Sequence, residues 1–194
     1  MVETYKDGSK YEGELQGGLR HGQGKLIYSD GTWFDGTWIL DRIEGYGAFY
    51  YENSKISYQG EWKNNKREGD GIMYNEQVTQ IGQGYLERPF DRSENTWEKY
   101  EGEFKNGYFE GKGKKHFRDG DVYEGDWKND SIEGKGKFTF TNGAVYEGNL
   151  QNGLFEGKGK MIFANGNVYE GDWKADLREG IGKFIFTNGI IYEG

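Results

Sequence analysis

The chain has 194 residues, of which only 34% are hydrophobic and 17% aromatic, so aliphatic bulk for a thick two-layer core is missing; its 34 glycines far exceed the roughly 7% share usual in proteins. A net charge of −8 weighs against broad nucleic-acid binding, because Lys and Arg supply most affinity for phosphate backbones, while 6 Trp, 15 Tyr and 12 Phe exclude a disordered chain. The absence of cysteine removes disulfides, thiolate nucleophiles and zinc–thiolate sites and is compatible with an intracellular location; no apolar run reaches the ~20 residues of a membrane span, and Met1 to Lys6 has no signal-peptide core.

In chain order, the first recurring element is Tyr11-Glu12-Gly13, which returns as Phe34-Asp35-Gly36 after 23 residues and as Tyr58-Gln59-Gly60 after 24. A glycine pair follows each copy, at Gly22/Gly24, Gly45/Gly47 and Gly69/Gly71. The next stretch breaks the rhythm, since Tyr58 and Tyr100 lie four residues short of two periods apart. One degenerate copy is expected there, around Ile81-Gly82-Gln83-Gly84, with Pro89 in an irregular surface loop because proline removes a ladder hydrogen bond. From Tyr100 the period is strict, with copies at Tyr123, Tyr146, Tyr169 and Tyr192 every 23 residues. The organisation expected is residues 1–75 as N-terminal repeats, 76–99 as a degenerate repeat with an irregular loop, and 100–194 as regular C-terminal repeats.

Within a unit, Tyr123-Glu124-Gly125-Asp126-Trp127 alternates rings and glycine with carboxylates, the period-2 pattern of a half-buried strand. Gly136-Lys137-Phe138-Thr139-Phe140 alternates likewise, so each unit is predicted to be a β-hairpin. Asn-Gly and Asp-Gly pairs such as Asp30-Gly31, Asp119-Gly120 and Asn142-Gly143 punctuate the connections between units, where type I′ turns are expected. Stacked copies place the Tyr series, the Trp series and the Phe series in columns on one aromatic face. The other face carries carboxylates such as Glu124 and Asp126, expected to pair with Lys137. The predicted fold is all-β: an elongated single-layer antiparallel sheet of tandem hairpins, a twisted rod-like solenoid about 75 Å long for roughly eight units.

The run Tyr100 to Lys114, Tyr-Glu-Gly-Glu-Phe-Lys-Asn-Gly-Tyr-Phe-Glu-Gly-Lys-Gly-Lys, with Asp119-Gly120 beyond it, resembles the MORN (membrane occupation and recognition nexus) repeat. The resemblance extends over nearly the whole chain. Family units often carry Arg-His-Gly before the second glycine pair, and only Arg20-His21-Gly22 matches; elsewhere glutamate stands there, as at Glu44, Glu68, Glu110, Glu133 and Glu156. This acidic edge argues against binding of lipid headgroups. What the resemblance implies is a fold with several functions: MORN arrays occur in radial spoke heads of cilia and flagella, in cytoskeletal scaffolds, in junctophilins, and beside kinase or SET domains. A stand-alone array favours a non-enzymatic scaffold in a cytoskeletal assembly, with the ciliary or flagellar axoneme as the family analogue. The rivals are a membrane-associating adaptor for anionic phospholipid and a regulatory region of a larger enzyme.

His21 and His116 occupy different places in their units, one read as hairpin loop and one as strand, and do not converge as a metal or acid–base pair. Carboxylates repeat at equivalent positions, which marks a solvated ladder rather than a catalytic pair. No catalytic residue, cofactor or metal ligand is therefore expected. The aromatic face is the candidate partner surface, suited to an amphipathic helix with anchors at i, i+3/i+4 and i+7, and Tyr123, Trp127, Tyr146, Tyr169 and Trp173 are its expected contacts. Arg88, Phe90 and Trp97 are the candidate specificity residues of the irregular loop. The last tripeptide, Tyr192-Glu193-Gly194, opens a further unit and leaves an unpaired edge, where another repeat chain or a continuation of this one is expected.

Overall fold

The computed structural model describes residues 2–75 and 97–194. These form two compact units, Met1–Tyr108 and Phe109–Gly194. The first contains β1 (Val2–Thr4), β2 (Lys10–Gln16), β3 (Leu19–Ile27), β4 (Trp33–Ile39), β5 (Arg42–Tyr50), β6 (Ile56–Lys63), β7 (Lys66–Tyr74) and β8 (Trp97–Lys105). The second is built from β9 (Tyr108–Phe117), β10 (Val122–Lys128), β11 (Ser131–Thr139), β12 (Val145–Gln151), β13 (Leu154–Ile162), β14 (Val168–Lys174), β15 (Leu177–Ile185) and β16 (Ile191–Glu193). In each unit the strands follow sequence order in one antiparallel layer, as the period of 23 predicts. Trp97 opens β8, so residues 97–99 of the segment read as irregular are strand. Arg88, Pro89, Phe90 and the degenerate copy around Ile81 lie outside the described residues.

The two glycines of each pair answer to different constraints. Gly136 sits beneath the Tyr123 ring, facing Gly125 across the ladder, and a methyl at Gly125 would lie 2.5 Å from the Gly136 Cα. Gly134 instead takes a left-handed φ of 69°. It lies in a bulge, because the register jumps from Gly125↔Gly136 to Trp127↔Ile132. The bulge leaves the Asp126 carbonyl without a ladder partner, and the Tyr123 hydroxyl donates to it at 3.1 Å. The same bond recurs from Tyr11 to Glu14, Tyr58 to Glu61, Tyr100 to Glu103, Tyr146 to Asn149 and Tyr169 to Asp172. Tyrosine is thus the right residue because it covers two glycines and its hydroxyl repairs the defect that the next glycine creates.

Turn chemistry differs from the sequence expectation. At Asp30-Gly31 only the glycine has positive φ, 86°, and Gly31 N–H donates to Tyr28 O at 3.0 Å. This is a three-residue connection with one left-handed glycine, so a type I′ turn, which needs positive φ at both central residues, is ruled out there. The type I′ pattern lies inside each hairpin instead, as at Leu40-Asp41 (φ 47° and 68°), Asn64-Asn65 (49° and 64°) and Asn129-Asp130 (48° and 67°). Leu40 and Ala175 bear a strain of roughly 1–2 kcal/mol each for that conformation.

These turns also fasten each hairpin to the one before it. Asp41 N–H donates to Arg20 O at 3.0 Å, and Asp130 N–H to Phe109 O at 3.1 Å. In return the Asp41 carboxylate accepts from Arg20 N–H at 2.9 Å, and that of Asp130 from Phe109 N–H at 2.7 Å. The glutamate that departs from the family pattern completes the fastening: Glu44, Glu110, Glu133 and Glu156 accept from the backbone N–H of Asn64, Asn129, Asn152 and Ala175, the first residue of the following turn. Its role is structural, whatever charge it lends the edge.

Each unit has an aromatic face whose Tyr and Trp rings meet edge-on, for example Tyr58 with Trp62 at 5.0 Å and 89°. Tryptophan indoles donate to glycine carbonyls one strand back, Trp38 to Gly24 at 2.9 Å and Trp127 to Gly113 at 3.2 Å. The opposite face is charged but not uniformly so. An aliphatic row crosses the second unit through the register Thr139↔Val145↔Ile162↔Val168↔Ile185↔Ile191. Glu124 and Asp126 pair with Lys114 and Lys112 rather than with Lys137, which joins no ion pair among the described residues.

Candidate partner-binding face

All five residues expected as contacts on the aromatic face are buried: Tyr123 and Tyr146 are 0% exposed, Trp127 4%, Trp173 6% and Tyr169 7%. They pack on their own glycines and on one another, with Tyr169–Trp173 centroids 5.2 Å apart and Tyr146–Trp173 5.4 Å. They make the floor of the face. Burial raises the phenol of Tyr146 to about 12 and that of Tyr123 likewise upward, which keeps both hydroxyls as donors to their bulge carbonyls. Trp97, the candidate loop residue within the described chain, is also buried.

The accessible rings of the second unit are the phenylalanines beside that floor. Phe117, Phe138, Phe140, Phe155, Phe163, Phe184 and Phe186 are all half-buried. They touch in two groups, Phe117–Phe138 at 5.6 Å with Phe138–Phe140 at 4.8 Å, and Phe163–Phe184 at 5.7 Å with Phe184–Phe186 at 4.7 Å. In the first unit the equivalent side chains, Leu26, Tyr28, Phe49, Tyr51 and Met73, are buried. The two units therefore offer different surfaces from one repeat pattern. The signal available in sequence is that the column of Tyr28 and Tyr51 holds Phe117, Phe140, Phe163 and Phe186 in the second unit, whereas Tyr51 reaches Tyr74 O with its hydroxyl at 2.8 Å.

Cations also stand on the aromatic face. The Arg20 guanidinium lies 4.4 Å from the Trp38 ring centroid and its Nε donates to Asp41 at 2.8 Å. Burial by itself raises the Asp41 carboxyl, but the hydrogen bonds and charge of Arg20 outweigh it and hold the group below the usual carboxylate range. Asp126 and Asp172 are likewise held low, by Lys112 and Lys158 foremost among the lowering contacts. A general acid needs a carboxyl pushed upward, and the shifts resolved here run the other way. His21 lies on β3 and His116 on β9, both in strands, which corrects the loop placement of His21. Among the described residues no group of three or more His, Asp or Glu side chains could hold a metal ion.

Comparison with known proteins agrees with this architecture. The model of the MORN repeat matches residues 11–33, 34–55, 58–75, 100–122, 123–145, 146–168 and 169–191. Human Alsin is 35% identical over 89 residues, which cover 43% of this chain and 5% of Alsin. Protein TIC 100 of Arabidopsis thaliana is 38% identical over 47 residues, covering 24% of this chain and 5% of that protein. The chain thus spans only about a twentieth of the length of the curated relatives it matches. Among solved structures, a mutant TCP10 domain of Danio rerio CPAP superposes with a TM-score of 0.50 at 11% identity, over 100% of this chain and 81% of that one, a likeness of fold. With seven repeat matches spread from Tyr11 to Ile191, and with a glycine pair, a tyrosine and a bulge recurring in register, the chain belongs to the MORN repeat family.

Proposed function

We propose that this chain is a non-catalytic scaffold that binds proteins within a cytoskeletal assembly, of the ciliary or flagellar axonemal kind, and that its partner surface is the phenylalanine row of the second unit. The observation that carries the reading is the half-exposed row itself, two groups of touching rings beside a packed floor of Tyr123, Trp127, Tyr146, Tyr169 and Trp173. Contiguous apolar surface of this extent marks an interaction site, and Phe140, Phe163 and Phe186 are spaced unit by unit to receive the anchors of an amphipathic helix. The occurrence of MORN arrays in radial spoke heads and cytoskeletal scaffolds supports the address. The downward carboxylate shifts support the absence of acid–base chemistry.

The test is affinity purification from ciliated cells with the wild-type chain and with a Phe140→Ser/Phe163→Ser/Phe186→Ser variant, after circular dichroism shows that the variant is folded. Wild type should recover axonemal chains, and the variant at least about tenfold less, the loss expected when apolar anchors are truncated. Equal recovery by both, or recovery of no cytoskeletal chain, contradicts the reading.

A further inference from the structure

The charged face of the second unit carries a pattern that the aromatic face does not use. In one row across the sheet each strand contributes a single charge. On β9, β11, β13 and β15 the exposed row holds Lys114, Lys137, Lys160 and Lys183. On β10, β12, β14 and β16 the same row holds Glu124, Glu147, Glu170 and Glu193. The outer pairs close within the chain, Lys160 with Glu170 at 2.5 Å and Lys183 with Glu193 at 3.1 Å. At the centre Lys137 and Glu147 stand opposite each other in register, both exposed, and neither joins an ion pair among the described residues. Alongside runs the aliphatic row, with Ile162 39% and Ile191 49% exposed.

In that row the eight strands alternate in sign, a pattern that reverses about its midpoint, between β12 and β13. A two-fold axis parallel to the strands at that boundary lays every lysine strand of one copy against a glutamate strand of the other. It sets β12 of one copy over β13 of its partner and β11 over β14. Because rotation about this axis preserves position along the strand, the aliphatic rows also coincide, Val145 against Ile162 and Thr139 against Val168. These two rows are self-complementary, one in charge and one in apolarity, as an isologous interface requires.

We propose that the chain associates with a second copy of itself, face to face, through the charged side of the second unit. Eight strands at ~4.8 Å spacing and about five residues at ~3.3 Å give a face of about 600 Å² per copy. That is below the ~800 Å² per partner of stable complexes, so the dimer dissociates readily. Sheets packed in this way lie ~10 Å apart, within reach of opposed Lys and Glu side chains.

Sedimentation velocity of the full chain tests this at about 5 to 500 µM, a range that brackets the affinity of a small interface. The weight-average mass should rise toward twice that of the chain at low salt and fall back when ionic strength is raised about tenfold, because screening shortens the reach of the opposed charges. Lys160→Glu alone and Glu147→Lys alone should each remain monomeric, since each places two like-charge contacts across the axis. An equimolar mixture of the two variants should recover the dimer, because both contacts are then opposite in sign. Positions 147 and 160, opposite in register, carry like charges inside both variant chains, so recovery cannot come from a repaired sheet. A wild-type chain that stays monomeric throughout, single variants that dimerise like wild type, or a mixture that does not recover would each overturn the proposal.

Discussion

Gly148→Ala lowers the stability of the chain by at least about 3 kcal/mol in a urea titration followed by tryptophan fluorescence. The added methyl would lie 2.5 Å from the Gly159 Cα, 2.6 Å from the Tyr146 hydroxyl and 2.8 Å from the Lys158 carbonyl oxygen. Two of these are backbone atoms of the neighbouring strand, which cannot rotate aside. Relief must come from parting β12 and β13 or from lifting the Tyr146 ring, and lifting the ring breaks its 2.8 Å bond to Asn149 O. An orphaned carbonyl adds about 1 kcal/mol or more to the overpacking cost. Gly143→Ala is the matched control: nothing lies within 4 Å of its added methyl, and only its φ of 87° opposes the change. It should cost about 1 kcal/mol. Comparable losses from the two variants would mean that the tyrosine seat does not hold the hairpins together.

The second large effect is expected at Trp38, where alanine should remove about 3–5 kcal/mol from the first unit. The ring is 2% exposed, and it meets Tyr11 at 5.8 Å and Phe34 at 5.4 Å, both edge-on. Its indole also satisfies the Gly24 carbonyl, and the Arg20 guanidinium rests on its face. Truncation leaves a cavity and a buried unpaired acceptor, and it removes the stacking surface of the guanidinium that Asp41 holds in place. Leu15 occupies the same column one repeat earlier but is only half-buried and lacks a polar handle. Leu15→Ala should therefore cost much less, on the order of 1 kcal/mol. Thermal denaturation of the two variants reads the difference directly.

Much of the fold was legible because its constraints are local. The Tyr-x-Gly and Gly-x-Gly spacings fix which side chains share a face, and the 23-residue interval fixes which strands become neighbours. The turns were misread because Asn-Gly is a strong signal for positive φ, whereas Leu40-Asp41 and Ala175-Asp176, which adopt that geometry, carry a weak one. Their conformation is imposed by Asp41 and Asp176, whose carboxylates grip a strand 21 residues back. The glutamate before each second glycine pair was legible as a departure from the family but not as a fastening, since its partner amide lies some 20 residues ahead. On the aromatic face, periodicity identified the ring columns but could not say which column is covered. Tyr and Trp are seated by hydrogen bonds and glycine, while Phe117, Phe140, Phe163 and Phe186, at the strand ends, stay half-exposed. The aliphatic row on the charged face went unread because its members, such as Val145 and Val168, sit just outside the Tyr-Glu-Gly motif.

What the structure holds to be decisive is that successive hairpins are clamped turn to strand, with rings seated on glycines beneath. In an isolated two-residue turn the second N–H faces water, but here the amides of Asp41, Asn65, Asp130 and Asp176 donate to the preceding hairpin at 3.0, 3.1, 3.1 and 3.2 Å. Residue-resolved hydrogen exchange on the full chain should find these four turn amides protected on the order of a thousand-fold, like the strand amides beside them. Exchange at the rate of an open turn, with the strands still protected, would show hairpins that merely lie side by side.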